Sequence, residues 1–152
     1  NGMKLQHVKP HGAMYTVAVN DMELSEGIVE GIQEYDPELL LFAMPNSLTY
    51  RIAEKRGLPV VPEGFVELNY LPNGSLALER AKKAWDPEEV ARRFVRLMKE
   101  GKVTTVSGET IPQKVKSVCI HGDAPNTPEI LKALEAAMAR EGIERANIME
   151  LL

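Results

Sequence analysis

The chain has a single cysteine, Cys119, so no intrachain disulfide can form, and this thiol usage fits a reducing cytoplasm. No apolar stretch approaches the ~20 residues of a membrane span, and no signal-peptide pattern opens the sequence. Basic residues are in deficit: 18 Lys and Arg against 22 Asp and Glu leave a net charge of −4. That balance lacks the electrostatic footprint of a protein that binds nucleic acid or an anionic membrane. The densest basic patch, Arg92 and Arg93 with Arg96 and Lys99, reads as the solvated face of a helix. Motifs are missing too. There is no GxxxxGKS/T loop, GxGxxG fingerprint, GxSxG elbow or CxxC pair, which disfavours P-loop, Rossmann, serine-hydrolase and thiol-redox readings. No low-complexity linker interrupts the chain, so its 152 residues, 44% hydrophobic, are read as one domain with its own core.

What is present is an alternation of strands and helices. Residues 4–9 read as a strand stopped by Pro10 and Gly12. Ser25 is the expected N-cap of a helix with Ile28, Val29 and Ile32 at helical spacing, ended by Asp36-Pro37. The apolar run 39–43 predicts a strand covered on both faces. Asn46 or Ser47 caps a helix ending near Gly57, and 59–62 forms a short strand. Residues 63–70 extend as strand and then loop, and Pro72-Asn73-Gly74 is a turn between short extended pieces. Asp86-Pro87-Glu88-Glu89 opens a helix with an acidic cap, a first-turn proline and glutamates at the positive end of its dipole. Its buried stripe is Val90, Phe94, Leu97 and Met98, and Gly101 stops it. An extended piece at 103–106 and a strand at 115–120 follow. Thr127-Pro128-Glu129 then begins a helix that presents Ile130, Leu131, Leu134, Ala137 and Met138 on one face and stops at Gly142. This rhythm predicts an α/β fold with parallel strands covered by helices.

Two strands end in His-Gly: Leu5-Gln6-His7-Val8-Lys9-Pro10-His11-Gly12 and Ser117-Val118-Cys119-Ile120-His121-Gly122-Asp123. The C-terminal ends of parallel strands share one rim, where the sites of α/β folds lie. Lys9, His11, His121 and Asp123 are therefore expected to meet. Side chains alternate along a strand, so His7, Lys9 and His11 share a side if the strand runs through Pro10. A glycine after each histidine allows a sharp turn and close approach of a ligand. The helix after His11 offers free N–H groups to a carboxylate or a developing oxyanion.

The chemistry of this set stays open at this level. A histidine beside an aspartate is a general base; a lysine neutralises an anion or, if desolvated, acts as a nucleophile. His, His and Asp also form a zinc donor set, though from distant segments without a compact motif. The plainer reading makes them polar residues finishing strand ends. Glu63 is either a rim acid or a surface glutamate. Arg80 is a candidate anion ligand, with solvation the default. Cys119 is a nucleophile or, the better reading, a buried thiol whose pKa its apolar neighbours raise. Trp85 and Tyr70 read as packing residues.

The stretch His7-Val8-Lys9-Pro10-His11-Gly12-Ala13-Met14-Tyr15 resembles the HVKPHGALY signature of the LamB/YcsF family, the 5-oxoprolinase A-subunit or lactam-utilisation proteins. Ser117-Val118-Cys119-Ile120-His121-Gly122-Asp123-Ala124-Pro125 resembles its second signature, an apolar strand followed by CVHGDxP, and Glu63-Gly64-Phe65 matches its E-x-F. The resemblance covers nearly the whole chain and corresponds to the C-terminal part of the family pattern. It implies a partial, distorted β/α barrel of the glycoside hydrolase/deacetylase-like type. It also implies ATP as co-substrate in opening 5-oxo-L-proline to glutamate, with two partner subunits. On that resemblance Lys9 and His11 bind or polarise the substrate, His121 and Asp123 handle protons or position water, and Glu63 assists. Thr16 stands where the family often has Asn. Phe65-Val66-Glu67-Leu68-Asn69-Tyr70 replaces F-A-D-R-x-Y and loses its arginine. The family's opening Asp-rich strand motif is not in this sequence. Either Asn1-Gly2 is an added remnant or the polypeptide begins in mid-domain. A barrel without its first strands has an open edge and part of a site, so the isolated chain is expected to be inactive unless a partner, an N-terminal segment or a second copy completes it. Two other readings remain: a metal-dependent deacetylase or amidohydrolase, and a non-catalytic barrel half kept for assembly.

Overall fold

The computed structural model describes residues 2, 4–77 and 83–150, so Arg80 lies outside the described residues. In chain order the elements are β1 (His7–Val8), α1 (Ala13–Val17), α2 (Met22–Tyr35), β2 (Leu40–Ala43), α3 (Leu48–Arg56) and β3 (Val60–Phe65). There follow β4 (Asn69–Tyr70), β5 (Leu76–Ala77), α4 (Pro87–Glu100), β6 (Lys102–Thr104), β7 (Thr110–Pro112), β8 (Ser117–Cys119) and α5 (Thr127–Glu141). β1, β2, β3 and β8 make one parallel sheet in that spatial order, with His7 opposite Leu40, Leu41 opposite Val60 and Phe65 opposite Cys119. Among the described residues β1 and β8 each pair with one strand, so the sheet is an arc of a β/α barrel flanked by helices, as expected.

Burial explains the arc. Leu40, Leu41 and Ala43 of β2 are all buried, as a strand covered on both faces requires. Val29 and Ile32 of α2 and Ile52 and Ala53 of α3 pack on Leu39, Leu41 and Ala43. A second cluster joins Val90, Phe94 and Leu97 of α4 and Ile130 and Leu134 of α5 to Phe65, Val66 and Tyr70. Each such side chain, fully buried, contributes about 1.5–3 kcal/mol. A Cβ at Gly64 would lie 2.9 Å from Leu97 and 3.0 Å from Val115, so glycine lets α4 close against β3. The Asn-Gly turn joins β4 and β5 as an antiparallel pair, and β6 and β7 form another.

The helix boundaries follow local chemistry, with one correction. Ser47 and Asp86 cap α3 and α4 by accepting the N–H groups of Tyr50 and Glu88. Gly57, Gly101 and Gly142 end their helices in the left-handed region. The cap of α2, however, is Asp21, which accepts from Leu24 N–H, not Ser25. Ser25 is instead buried and donates to the Ala18 carbonyl at 2.6 Å, tying α2 to the loop before it. The strands differ more. β1 is confined to His7–Val8, shorter than residues 4–9, and the stretches 59–62 and 63–65 are one strand through Pro62. Pro62 is tolerated because pairing hands over there from β2 to β8; its carbonyl still accepts the Lys116 N–H at 2.9 Å. Among the described residues no helix is long and apolar enough to cross a membrane.

Candidate active site

The C-terminal ends of β1, β3 and β8 open into a cleft of about 870 Å³ lined by Lys9, His11, His121 and Asp123, with Tyr15, Phe65 and Glu67. The four residues singled out at the two strand ends are therefore brought together. His7 is not among the lining residues; it packs edge-on against Phe42 with ring centroids 4.9 Å apart. Since β1 ends at Val8, strand alternation does not carry Lys9 and His11 to the cleft; the loop does. Gly12 turns that loop with φ +58°, whereas the φ of Gly122 is not positive. The two His-Gly pairs are thus alike in sequence but not in backbone demand. α1 is a five-residue turn, too short to be a dipolar anion site.

On one side of the cleft Lys9 meets Glu63. Glu63 is 3% exposed on β3; its Oε1 accepts from Lys9 Nζ at 2.8 Å and its Oε2 from the Tyr15 hydroxyl at 3.0 Å. Glu63 is therefore not a surface glutamate, and it lies behind the two residues that line the cleft. Burial lowers the Lys9 pKa, but the hydrogen bond and charge of Glu63, with a smaller contribution from Cys119, together hold it above its ordinary value. Lys9 is a fixed ammonium. Burial, reinforced by Glu63, raises the Tyr15 pKa, keeping the phenol neutral. Burial also pushes the half-buried Cys119 thiol up, only partly offset by Lys9, so Cys119 is a thiol and not an activated nucleophile.

On the other side His121 meets Glu67. The Glu67 side chain is 1% exposed; its Oε1 lies 2.5 Å from His121 Nδ1 and accepts the His121 backbone N–H at 3.1 Å. Phe65 stands between the two pairs. Its ring stacks on His121 at 5.8 Å and 17°, and its centroid is 5.5 Å from Lys9 Nζ. The segment 65–70 is tied at several points. Phe65 N–H donates to the Tyr70 hydroxyl at 2.8 Å, and the Arg93 guanidinium donates to the Leu68 carbonyl while stacking on Trp85. Asn126 brackets Trp85 through both its backbone groups. Tyr70 is fully buried, a packing residue that also accepts a hydrogen bond, whereas Trp85, packed under Arg93, also lines the cleft. Among the described residues no group of three or more His, Cys, Asp or Glu is gathered to hold a metal ion.

Glu67 and Tyr15 were not singled out from the sequence as working residues. A weak signal was available for Glu67, since Glu63, Phe65 and Glu67 recur at every second residue, but β3 ends at Phe65 and the strand period carries only the first two to one side.

The profile of the LamB/YcsF family matches residues 1–152. A 5-oxoprolinase A-subunit of Thermus thermophilus is 42% identical over 145 residues, covering 94% of this chain and 58% of that protein. One from Clostridium beijerinckii is 41% identical, covering 94% and 57%. The crystal structure of a lactam utilization protein from Thermus thermophilus superposes with a TM-score of 0.81 at 39% identity, over 94% of this chain and 57% of that one. The chain thus spans less than two thirds of these relatives.

Proposed function

The chain belongs to the LamB/YcsF family, and from that premise we propose that its cleft is the hydrolytic half-site of a 5-oxoprolinase, opening the lactam of 5-oxo-L-proline to L-glutamate. The observation that carries the reading is the convergence of Lys9–Glu63 and His121–Glu67 on one cleft at the strand C-termini. Lys9, a fixed cation, holds the substrate carboxylate or polarises the ring carbonyl, with Glu63 and Tyr15 aiming it; His11 at the mouth contributes to binding. His121, with Asp123 nearby, positions water and moves its proton. A five-membered lactam is a stable amide, so ATP enters as co-substrate to supply the driving force.

The relatives are named as one subunit of an enzyme, which supports an assembly with other subunits, and we take two partners as the working composition. The single-neighbour edges of β1 and β8, with exposed Leu5, Met14, Val17 and Met22 nearby in sequence, support completion by further polypeptide. That polypeptide is an N-terminal segment or a second copy. The test is ATP-dependent 5-oxoproline hydrolysis with candidate partner subunits, comparing this chain with an N-terminally extended version. Activity is expected only from the completed assembly and should collapse in the Lys9→Ala, His121→Ala double variant. Turnover by the isolated chain would refute the requirement for completion. Stoichiometric zinc in the purified protein would favour the deacetylase reading, and full partner function in the double variant would favour a non-catalytic barrel half.

A further inference from the structure

Glu67 and Glu63 satisfy their carboxylates differently, and the difference fixes a proton. Both oxygens of Glu63 receive donors, from Lys9 and Tyr15. Oε1 of Glu67 serves the His121 backbone N–H and ring Nδ1 together, while its buried Oε2 makes no hydrogen bond. An ionised carboxylate only accepts, so Nδ1 carries a hydrogen, and in the neutral ring Nε2 then holds the lone pair. The ring is held on its face by the Phe65 stack, and its backbone by the Thr127 hydroxyl, which donates to the His121 carbonyl at 3.0 Å. With Nδ1 turned to buried Glu67, the exposed part of the ring, 37% accessible as a side chain, is the edge toward the cleft.

We propose that Glu67 is a positioning residue that locks His121 in the Nδ1–H tautomer and presents Nε2 to the cleft as its proton acceptor. Resting on the hydrolase reading above, the step is as follows. Nε2 takes a proton from water as the water oxygen bonds to the lactam carbonyl carbon. It then returns that proton to the ring nitrogen as the C–N bond breaks. The transient imidazolium is stabilised by the Glu67 carboxylate held against it, whereas the Lys9–Glu63 pair is closed before the reaction begins.

The test reads the ring directly. Nitrogen-15 NMR of the neutral His121 side chain in the wild-type chain, without substrate, should show Nδ1 protonated. Glu67→Gln should preserve that tautomer, because the His121 backbone N–H keeps the amide oxygen turned toward the ring. Glu67→Leu should shift the ring to Nε2–H. In the assembled enzyme Glu67→Gln should lower kcat about tenfold and Glu67→Leu about a hundredfold or more, each with KM within about twofold. A merely structural role would move KM together with folding stability and would leave the tautomer unchanged. A wild-type Nε2–H spectrum overturns the positioning role even if neither variant folds, as does unchanged kcat in Glu67→Leu with the tautomer lost. Failure of the wild-type assembly to open any lactam overturns the reaction instead, a result the substrate-free spectrum does not depend on.

Discussion

Glu63 and Glu67 come from the same stretch of chain, are both nearly inaccessible, and each serve a basic residue contributed by a distant strand end. What separates them is the partner. Lys9 is charged throughout the neutral range, so its ion pair is permanent and its second acceptor is spent on Tyr15. His121 is charged only when protonated, so its pairing with Glu67 changes strength with a single proton. Two carboxylates, one on β3 and one just past its end, thus give a fixed charge and a switchable one, with Phe65 as the wall between them. A rigid cation for binding and a separate proton acceptor can then sit within one cleft without neutralising each other.

The contrast is tested first by removing each carboxylate. Glu63→Leu strands an ammonium and a phenol and should cost about 3 kcal/mol in urea unfolding at neutral pH, discounted because Lys9 keeps partial access to water. Glu67→Leu leaves a neutral ring and one backbone N–H, and should cost about 1–2 kcal/mol. Equal losses would erase the distinction between the pairs.

The alkaline limb tests the same point by pH. The folded pKa of Lys9 lies above its ordinary 10.5, so its contribution is complete below that value and lost as pH rises through the folded pKa. Tyr15, also raised, adds a loss that begins near its ordinary 10.0. Wild-type stability should therefore fall above about pH 10. In Glu63→Gln that fall should be shallower, since both shifts depend partly on Glu63.

Smaller effects concern the wall. Phe65→Leu should cost about 1–1.5 kcal/mol and loosen both pairs, visible as broadened His121 ring resonances. Tyr70→Phe removes the acceptor for the Phe65 N–H and should cost about 1 kcal/mol. No loss on this change would mean that the Phe65 N–H bond does not help to hold the segment 65–70.

Much of the scaffold was legible because its causes are local. Asp86-Pro87 at the start of α4, Ser47 before α3 and the Asn-Gly turn each act within a few residues. The Ser25 reading failed because a serine satisfies its hydroxyl as well in a buried helix contact as at a cap, and Asp21 upstream was the better acceptor. Pro62 suggested a strand end where the structure has a handover between neighbours, which depends on where β8 lies.

By itself the sequence determined the alternation of elements, most of the helix ends and the four strand-end residues that share the cleft, since each follows from short-range periodicity or the common direction of parallel strands. Only the tertiary structure decided what those residues touch. The contacts of Lys9 with Glu63 and of Glu67 with His121 each span 54 positions, and no local pattern encodes which of two similar glutamates meets which base. That assignment follows from the register of β3 between β2 and β8, and with it the division of the cleft into a fixed charge and a movable proton.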